Sequence, residues 1–397
     1  MNILVFSTLY PNSVRPSHGI FVETRLAHLV AGSRISARVV APIPFVANTR
    51  LVPEEFRQLG NVGYREERRG IDVIHPRYVV IPKIGMVPAP LLLYLGARRS
   101  VAVLRAKGFP FHLIDAHYFY PDGVAAAMLA CEFGVPLVIT ARGTDINLIP
   151  QFRLPRAMIR WTAARAQGIV AVCAALKDEL VALGIPAGKI RVLRNGVDLS
   201  LFSPLDKEAA RAALGFGRST ILSVGHLIER KGHDLVIRAL PSLPNVNLVI
   251  AGDGPLGQDL KRLAATLGVS DRVRFAGSVS QHDLAKLYSA ADVLVLASSR
   301  EGWANVLLEA MACGTPVVAS NVWGTPEVVA APEAGLLLEE RTPEAIARAV
   351  AALLASPPPR AAVRAYAERF SWDETTRGQI ELFDEVLRPA RAEHAAF

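Results

Sequence analysis

VLVLASSREGWANVLLEAMACGTPVVAS, residues Val293–Ser320, reads as one strand, one loop, one helix and a second strand. Val293–Ala297 is a short uncharged apolar run, as expected of a strand buried on both faces, and Pro316–Ser320 is another. A helical pattern opening near Ala304 joins them, so the two strands lie parallel. The same alternation extends outward in both directions. Upstream in the second half it predicts strands at Ile221–Val224, Asn247–Ala251 and Val273–Ala276, with helices such as His233–Ala239 and Asp283–Ala290. In the first half it predicts Ile3–Ser7, Ala37–Ala41, Ile71–Ile74, Leu113–Ala116, Leu137–Thr140, Gly168–Val172 and Ile190–Leu193. Between the halves, RNGVDLSLFSP (Arg194–Pro204) carries an Asn-Gly turn signal and a closing proline, where a linker would sit. The fold class is therefore α/β, with two parallel-sheet domains.

Composition excludes several other classes. The chain has 397 residues, 51% of them apolar and 20% charged, which gives enough apolar surface for full-sized cores and rules out a disordered chain. Cys131, Cys173 and Cys313 are too few and too widely spaced for a disulfide framework or a structural zinc site. The opening MNILVFSTLYPN has no basic leader region and reads as a strand. IGMVPAPLLLYLGA is too short and too proline-broken to span a bilayer, so a cytoplasmic protein is expected. The charge of +8 is unevenly shared: Met1–Asn195 holds 24 Lys/Arg against 12 Asp/Glu, a balance of +12, and the remainder holds 20 against 24, a balance of −4. Opposite signs suggest different partners for the two domains.

Open α/β sheets bind ligands beyond the carboxyl ends of their strands, and two such domains facing each other would form one cleft. The residues that matter should then lie on strand-to-helix loops. Glu301 and Glu309 are eight residues apart, about 12 Å of rise if both were helical, which suits two hydroxyl-bearing ends of one elongated ligand. The helix start near Ala304 could hold a diphosphate on its free N–H groups. The plainer alternative is a solvated Glu301 and a surface Glu309. His226, Arg230 and Lys231 follow the strand Ile221–Val224 and could neutralise a leaving phosphate; a solvated basic turn is the commoner case. His117 stands at the carboxyl edge of FHLIDA and could act as a base or hydrogen-bond a sugar, although a lone histidine is often only structural. His18 and Gly19 precede a helix opening at Ile20, where Gly19 would allow close backbone approach to an anion. Arg142 and Asp145, in ARGTD, are acceptor-side candidates. No Asp-x-Asp occurs, so a metal-bound diphosphate lacks its usual carboxylates, and GxGxxG after an early strand, the P-loop and GxSxG are absent too.

With those residues in view, the chain resembles the retaining glycosyltransferases of family 4, which have the GT-B fold of two Rossmann-like domains. HYFYPDGVAAA, ARGTDIN, RNGVDLSLFSP, VGHLIERKGHDLVIRAL, AGDGPLGQDLKRLA, FAGSVSQHDLAKLY, SREGWANVLLEAMACGTPVVAS and GTPEVV follow in the family's order. The resemblance implies an acceptor-binding domain at 1–194, a nucleotide-sugar-binding domain at 195–371, and a segment 372–397 returning to the first domain. It implies that Glu301 holds donor-sugar hydroxyls, Glu309 the ribose, and Lys231 the diphosphate. Gly302, Trp303, Ala304, Asn305 and Val306 would line the donor with backbone groups, and Gly19 and His117 would belong to the same site. Where the family usually has arginine, five residues before the lysine, this chain has His226, leaving open whether His226 or Arg230 serves. Backbone around Ser278 and Val279 would meet the base without selecting it. The opening STLYPNSVRPSHGIFVETR resembles transferases that build bacterial surface polysaccharides, such as teichuronic acid enzymes.

The expectation is a metal-independent, retaining transfer of a hexosyl-type group from a nucleotide diphosphate sugar, with no cofactor, to an acceptor hydroxyl on a lipid-linked molecule or glycan. The rivals are a nucleotide-sugar epimerase of the same fold and a non-catalytic nucleotide-sugar sensor. Arg153, Arg156 and Arg160 recur at helical spacing beside Trp161, and Arg98, Arg99 and Arg105 follow the apolar APLLLYLGA, so the first domain is expected to seat peripherally on an anionic membrane surface. Without a recognised binding module, nucleic acid is not an expected partner.

Overall fold

A computed structural model describes residues 1–45, 57–81 and 85–394, with side chains to 388. The chain divides into two compact units, Met1–Arg194 with Asp373–Phe397, and Asn195–Trp372.

The first unit holds an eight-stranded sheet in the order Ile190–Val192, Gly168–Ala171, Leu137–Ala141, Leu113–His117, Asn2–Phe6, Ser36–Val40, Ile71–Ile74, Arg65–Arg68. Every pairing is parallel except the last. The central strands are buried on both faces, so Ile3, Leu4, Val5 and Phe6 are all inaccessible and no polar alternation marks them. The antiparallel Arg65–Arg68 was not expected from the sequence: REER alternates exposed and half-buried positions at the sheet edge, where charge discourages further pairing. Its Arg68 pairs at 2.5 Å with the buried Glu23 on helix Ile20–Ala31. A two-stranded sheet, Ile43–Phe45 with Arg77–Val79, was likewise not legible in so few residues. The last helix, Trp372–His394, places Leu382, Phe383 and Leu387 in the same core as Ile3, Val5, Val138 and Val170. Arg191 pairs with Glu385 at 2.5 Å.

The second unit holds a six-stranded parallel sheet in the order Val273–Gly277, Val246–Ala251, Ser219–Val224, Val293–Leu296, Val317–Ser320, Gly335–Leu338. The edge strand Gly335–Leu338 was not among those the sequence suggested. The helix expected at Asp283–Ala290 begins at Gln281, because Ser280 is its cap. The Ser280 hydroxyl accepts from Asp283 N at 3.1 Å and donates to the Asp283 carboxylate at 2.8 Å. Asp206 and Thr342 cap Lys207–Leu214 and Pro343–Ala355 by accepting from Ala209 N and Ala345 N. In both sheets the topology is that of a Rossmann-like domain, with loops at the carboxyl ends of the parallel strands.

Candidate functional site

In the second unit the chain leaves Ser219–Val224, makes a single turn over Glu229–Lys231, and enters helix His233–Ala239 through Gly232. Gly232 has φ 69°, and a Cβ there would lie 2.1 Å from the carbonyl oxygen of Ala297, so only glycine lets this turn press against the end of the neighbouring strand. Ser299 N then donates to Arg230 O at 2.8 Å, fixing the two loops together. The result is a charged cluster: Lys231 Nζ donates to Glu301 Oε1 at 2.6 Å, and Arg230 Nη1 lies 3.7 Å from Glu301 Oε2 while donating to Arg300 O at 2.8 Å. Glu301 is 8% exposed. Burial opposes its ionisation, but Lys231 and then Arg230 outweigh it and hold the carboxyl below the usual range. His226 is exposed, and its carbonyl accepts from Ile228 N.

Gly302, Trp303 and Ala304 are buried and lead into helix Asn305–Ala312; Asn305 and Val306 are half-buried. Ala304, in the cap position, has no side chain to satisfy the first-turn N–H groups, so that end suits an anionic ligand. The Trp303 ring packs against Phe370 with centroids 6.1 Å apart. Asn195 Nδ2 donates to Asn305 Oδ1 at 3.2 Å. Glu301 lies outside the helix and Glu309 inside it, so the axial rise expected between them does not apply. Glu309 accepts from the buried Tyr288 hydroxyl at 2.9 Å; burial pushes its carboxyl up to about 7, and the Tyr288 bond only partly offsets this. Tyr288 escaped the sequence reading because nothing local ties it to Glu309, 21 residues on. Ser278 N donates to Asp253 Oδ2, and Val279 lines a cavity of about 570 Å³ whose walls include none of Lys231, Glu301 or Glu309.

In the first unit His117 ends its strand, and Tyr118 follows with φ 84°, a conformation a tyrosine adopts at a cost of about 1–3 kcal/mol. The imidazole is buried. Arg142 Nη2 lies 2.7 Å from its Nδ1, and because a guanidinium only donates, Nδ1 must accept and Nε2 carries the proton. Nε2 faces Asp115 Oδ2 at 3.5 Å. Burial pushes the His117 pKa down to about 4, against the opposing pull of Asp115. The lone pair a base would use is thus taken by Arg142, which of the two roles open to His117 leaves a hydrogen bond from Nε2. Behind it, Gln379 Nε2 donates to Asp115 Oδ2 at 2.9 Å and Arg25 Nε donates to Gln379 Oε1 at 2.8 Å. Asp115, two residues before His117 on the same strand, was the sequence signal for this network; Arg25 and Gln379 had none.

Arg142 and Asp145, the acceptor-side candidates, are also buried. Asp145 accepts from Phe119 N at 2.8 Å and from Gly143 N at 2.7 Å, clasping two strand-end loops, and burial pushes its carboxyl up to about 6. The Arg142 guanidinium lies 5.2 Å from the Phe21 ring. His18 is half-buried, with its pKa lowered by burial and Arg15. Gly19 has φ 68°, and a Cβ there would lie 2.3 Å from Leu9 O, so packing within the loop already requires this glycine. Thr8 Oγ1 donates to Asp122 Oδ2 at 3.1 Å; burial pushes that carboxyl up to about 7.

Helix Arg153–Arg165 exposes Arg153, Arg156 and Arg160, with Phe152 and Leu154 exposed at its start. Trp161, expected at a membrane interface, is half-buried with the Arg165 guanidinium 4.1 Å from its ring. Among the described residues no helix is long and apolar enough to cross a membrane, and no three His, Cys, Asp or Glu side chains group as metal ligands would.

Residues 206–370 match the family model described as glycosyl transferases group 1, and residues 28–201 match glycosyltransferase family 4. The chain is 38% identical over 320 residues to a D-inositol 3-phosphate glycosyltransferase of Mycolicibacterium gilvum, covering 74% of this chain and 72% of that protein. It is 32% identical over 317 residues to the protein of that name in Mycobacteroides abscessus, covering 74% and 71%. Among solved structures, sucrose-phosphate synthase from Thermosynechococcus elongatus superposes with a TM-score of 0.81 at 21% identity, covering 98% of this chain and 99% of that one. Anabaena HepE in complex with UDP gives 0.72 at 20%, covering 97% and 100%.

Proposed function

We propose, for a chain that belongs to the family 4 glycosyltransferases and has their GT-B fold, a retaining transfer that needs no metal. Family membership makes it a glycosyltransferase with a nucleotide-sugar donor. The observation that carries the finer reading is the Lys231–Glu301 pair at 2.6 Å, set beside an uncapped helix start. It keeps a carboxylate ionised for sugar hydroxyls and a cation within reach of a diphosphate. On donor binding, Lys231 turns to the leaving phosphate, with Arg230 rather than the exposed His226 as the second cation, and the first-turn N–H groups near Ala304 complete the charge stabilisation. Glu309 takes the ribose hydroxyls. The acceptor oxygen attacks the anomeric carbon from the face the diphosphate leaves, the C–O bond to phosphate breaks, and the departing phosphate oxygen takes the acceptor proton. His117, uncharged and held by Arg142, shapes the acceptor side and removes no proton.

The relatives' names give them a D-inositol 3-phosphate acceptor. For this chain we favour a lipid-linked or glycan acceptor at the cytoplasmic face of a membrane, supported by the exposed Arg153, Arg156 and Arg160 beside Phe152 and Leu154. Each basic residue near an anionic leaflet is worth about 1 kcal/mol, enough in combination for reversible seating. The test is incubation with a panel of nucleotide sugars, with inositol phosphate and lipid extract as acceptors, in chelator. A new glycoside with the donor's anomeric configuration, formed on lipid, is expected. An inverted product, an isomeric nucleotide sugar, or activity lost in chelator and restored by magnesium would each overturn a named part of the proposal.

A further inference from the structure

We infer that the first unit carries a groove for the hydrocarbon chain of the acceptor, opening next to His117; this rests on reading the acceptor as lipid-borne. The groove is a cavity of about 360 Å³, within the size range of ligand pockets, and among the described residues no acid, base or histidine lines it. Tyr118 and Tyr120 form one wall, directly after His117 in the chain, so the groove adjoins the strand end where an acceptor hydroxyl would be presented. The Tyr120 hydroxyl donates to the Met86 carbonyl and is withdrawn from a ligand, leaving its ring face as the contact. Val79, Ile81 and Met86 also line it and are 51%, 37% and 41% exposed. Those exposures are high for aliphatic side chains gathered at one site, and such patches mark ligand or interaction surfaces.

The patch continues along the helix Ala89–Ala106. Leu92 lines the groove, while Leu91 and Leu95, one turn apart, are exposed, and the exposed Arg98 and Arg99 follow within the next turn. Arg98 is paired with Glu132 at 2.7 Å, so Arg99 is the cation that ends this apolar strip, which matches a ligand that is hydrocarbon along its length and enters from an anionic surface. The described lining offers a phosphorylated polyol neither a cation nor a carboxylate, and its aliphatic side chains fit a chain of methylenes.

The test measures binding of methyl, butyl, hexyl and octyl β-D-glucosides, below their micelle concentrations, to the full-length protein by titration calorimetry. Each methylene that enters the groove should tighten binding about fourfold, so Kd should fall steeply along the series and level off once the groove is full. Val79→Glu, at an exposed position that does not threaten folding, should raise the octyl Kd at least tenfold and leave donor binding unchanged. Val79→Leu should keep the wild-type series. Equal Kd values for methyl and octyl glucoside, or no effect of Val79→Glu, would overturn the inference. So would protein-concentration-dependent dimerisation abolished by Val79→Glu without any chain-length effect, since the groove would then hold a second copy. Failure of the transferase reading itself would look different: no nucleotide sugar would bind or react, whatever the glucoside series showed.

Discussion

Both units place a histidine and cations at the carboxyl ends of parallel strands, yet they seal them to different degrees. In the second unit Lys231 and Arg230 remain partly exposed and share one buried carboxylate, Glu301. In the first, His117, Arg142, Asp115, Asp145, Arg25 and Gln379 are all buried and bonded into one network, in which Asp115 Oδ1 and Arg25 Nη2 find no partner among the described residues. A charged cluster with an open side can exchange a protein partner for a phosphate. A closed network can only hold its loops in shape. The difference supports our proposal that the charge chemistry belongs to the second unit.

The largest effect that tests this contrast is at Lys231. Lys231→Ala should lower transfer by about 10²–10³-fold. It should also destabilise the unit by about 3 kcal/mol, because the buried Glu301 loses its closest cation and keeps Arg230 at 3.7 Å and the Ser298 hydroxyl. The double variant Lys231→Met/Glu301→Gln should regain most of that stability in urea titrations and none of the activity. Near-normal kinetics in Lys231→Ala would erase the contrast.

The next effect concerns pH. His117 in the first unit and His233 in the second, bonded to Ser223 Oγ at 2.8 Å, both have their pKa pushed down to about 4, chiefly by burial. A depressed histidine adds stability above its unfolded pKa of 6.5 that is lost as pH falls through 6.5 toward 4, by about 3 kcal/mol for each. His117→Asn and His233→Asn should each make acid unfolding shallower. Unchanged acid dependence in His117→Asn would show that its ring is not held neutral.

Glu309 runs the opposite way, since its folded pKa is raised from 4.5 to about 7 and the neutral form is favoured. Its stability contribution is present at low pH and is lost as pH rises from 4.5 through 7. A ribose diol prefers the carboxylate, so donor Kd should fall about tenfold between pH 6 and 8, and Glu309→Gln should flatten that dependence. The smallest effect on the donor is at Gln379: its replacement by alanine removes bonds to the buried Asp115 and Arg25 and should cost about 3 kcal/mol in thermal unfolding, with donor affinity unchanged.

The parallel sheets could be read from the sequence because strands such as Ile3–Phe6 and Val293–Leu296 are buried on both faces and therefore uniformly apolar. Arg65–Arg68 could not, because an edge strand of charged residues has no apolar pattern to read. At the site, residue identity was legible and partnership was not. Lys231 and Glu301 stand out individually, but their contact spans 70 residues and depends on Gly232 admitting the Ala297 carbonyl. His117 shows the reverse problem: a histidine at a strand end suggests a base, and only the position of Arg142, 25 residues on, reveals that its lone pair is occupied.

The central claim is that the Lys231–Glu301 cluster is the donor's charge-binding site. It is tested most directly by titrating a panel of nucleoside diphosphate sugars, in chelator, into the wild type, Lys231→Ala and Glu301→Gln, with the matching nucleoside diphosphates as controls. The account predicts that one donor binds the wild type without metal, that Lys231→Ala weakens the nucleotide sugar and the bare diphosphate alike, and that Glu301→Gln weakens only the nucleotide sugar. Equal affinity of all three proteins for that donor would contradict it.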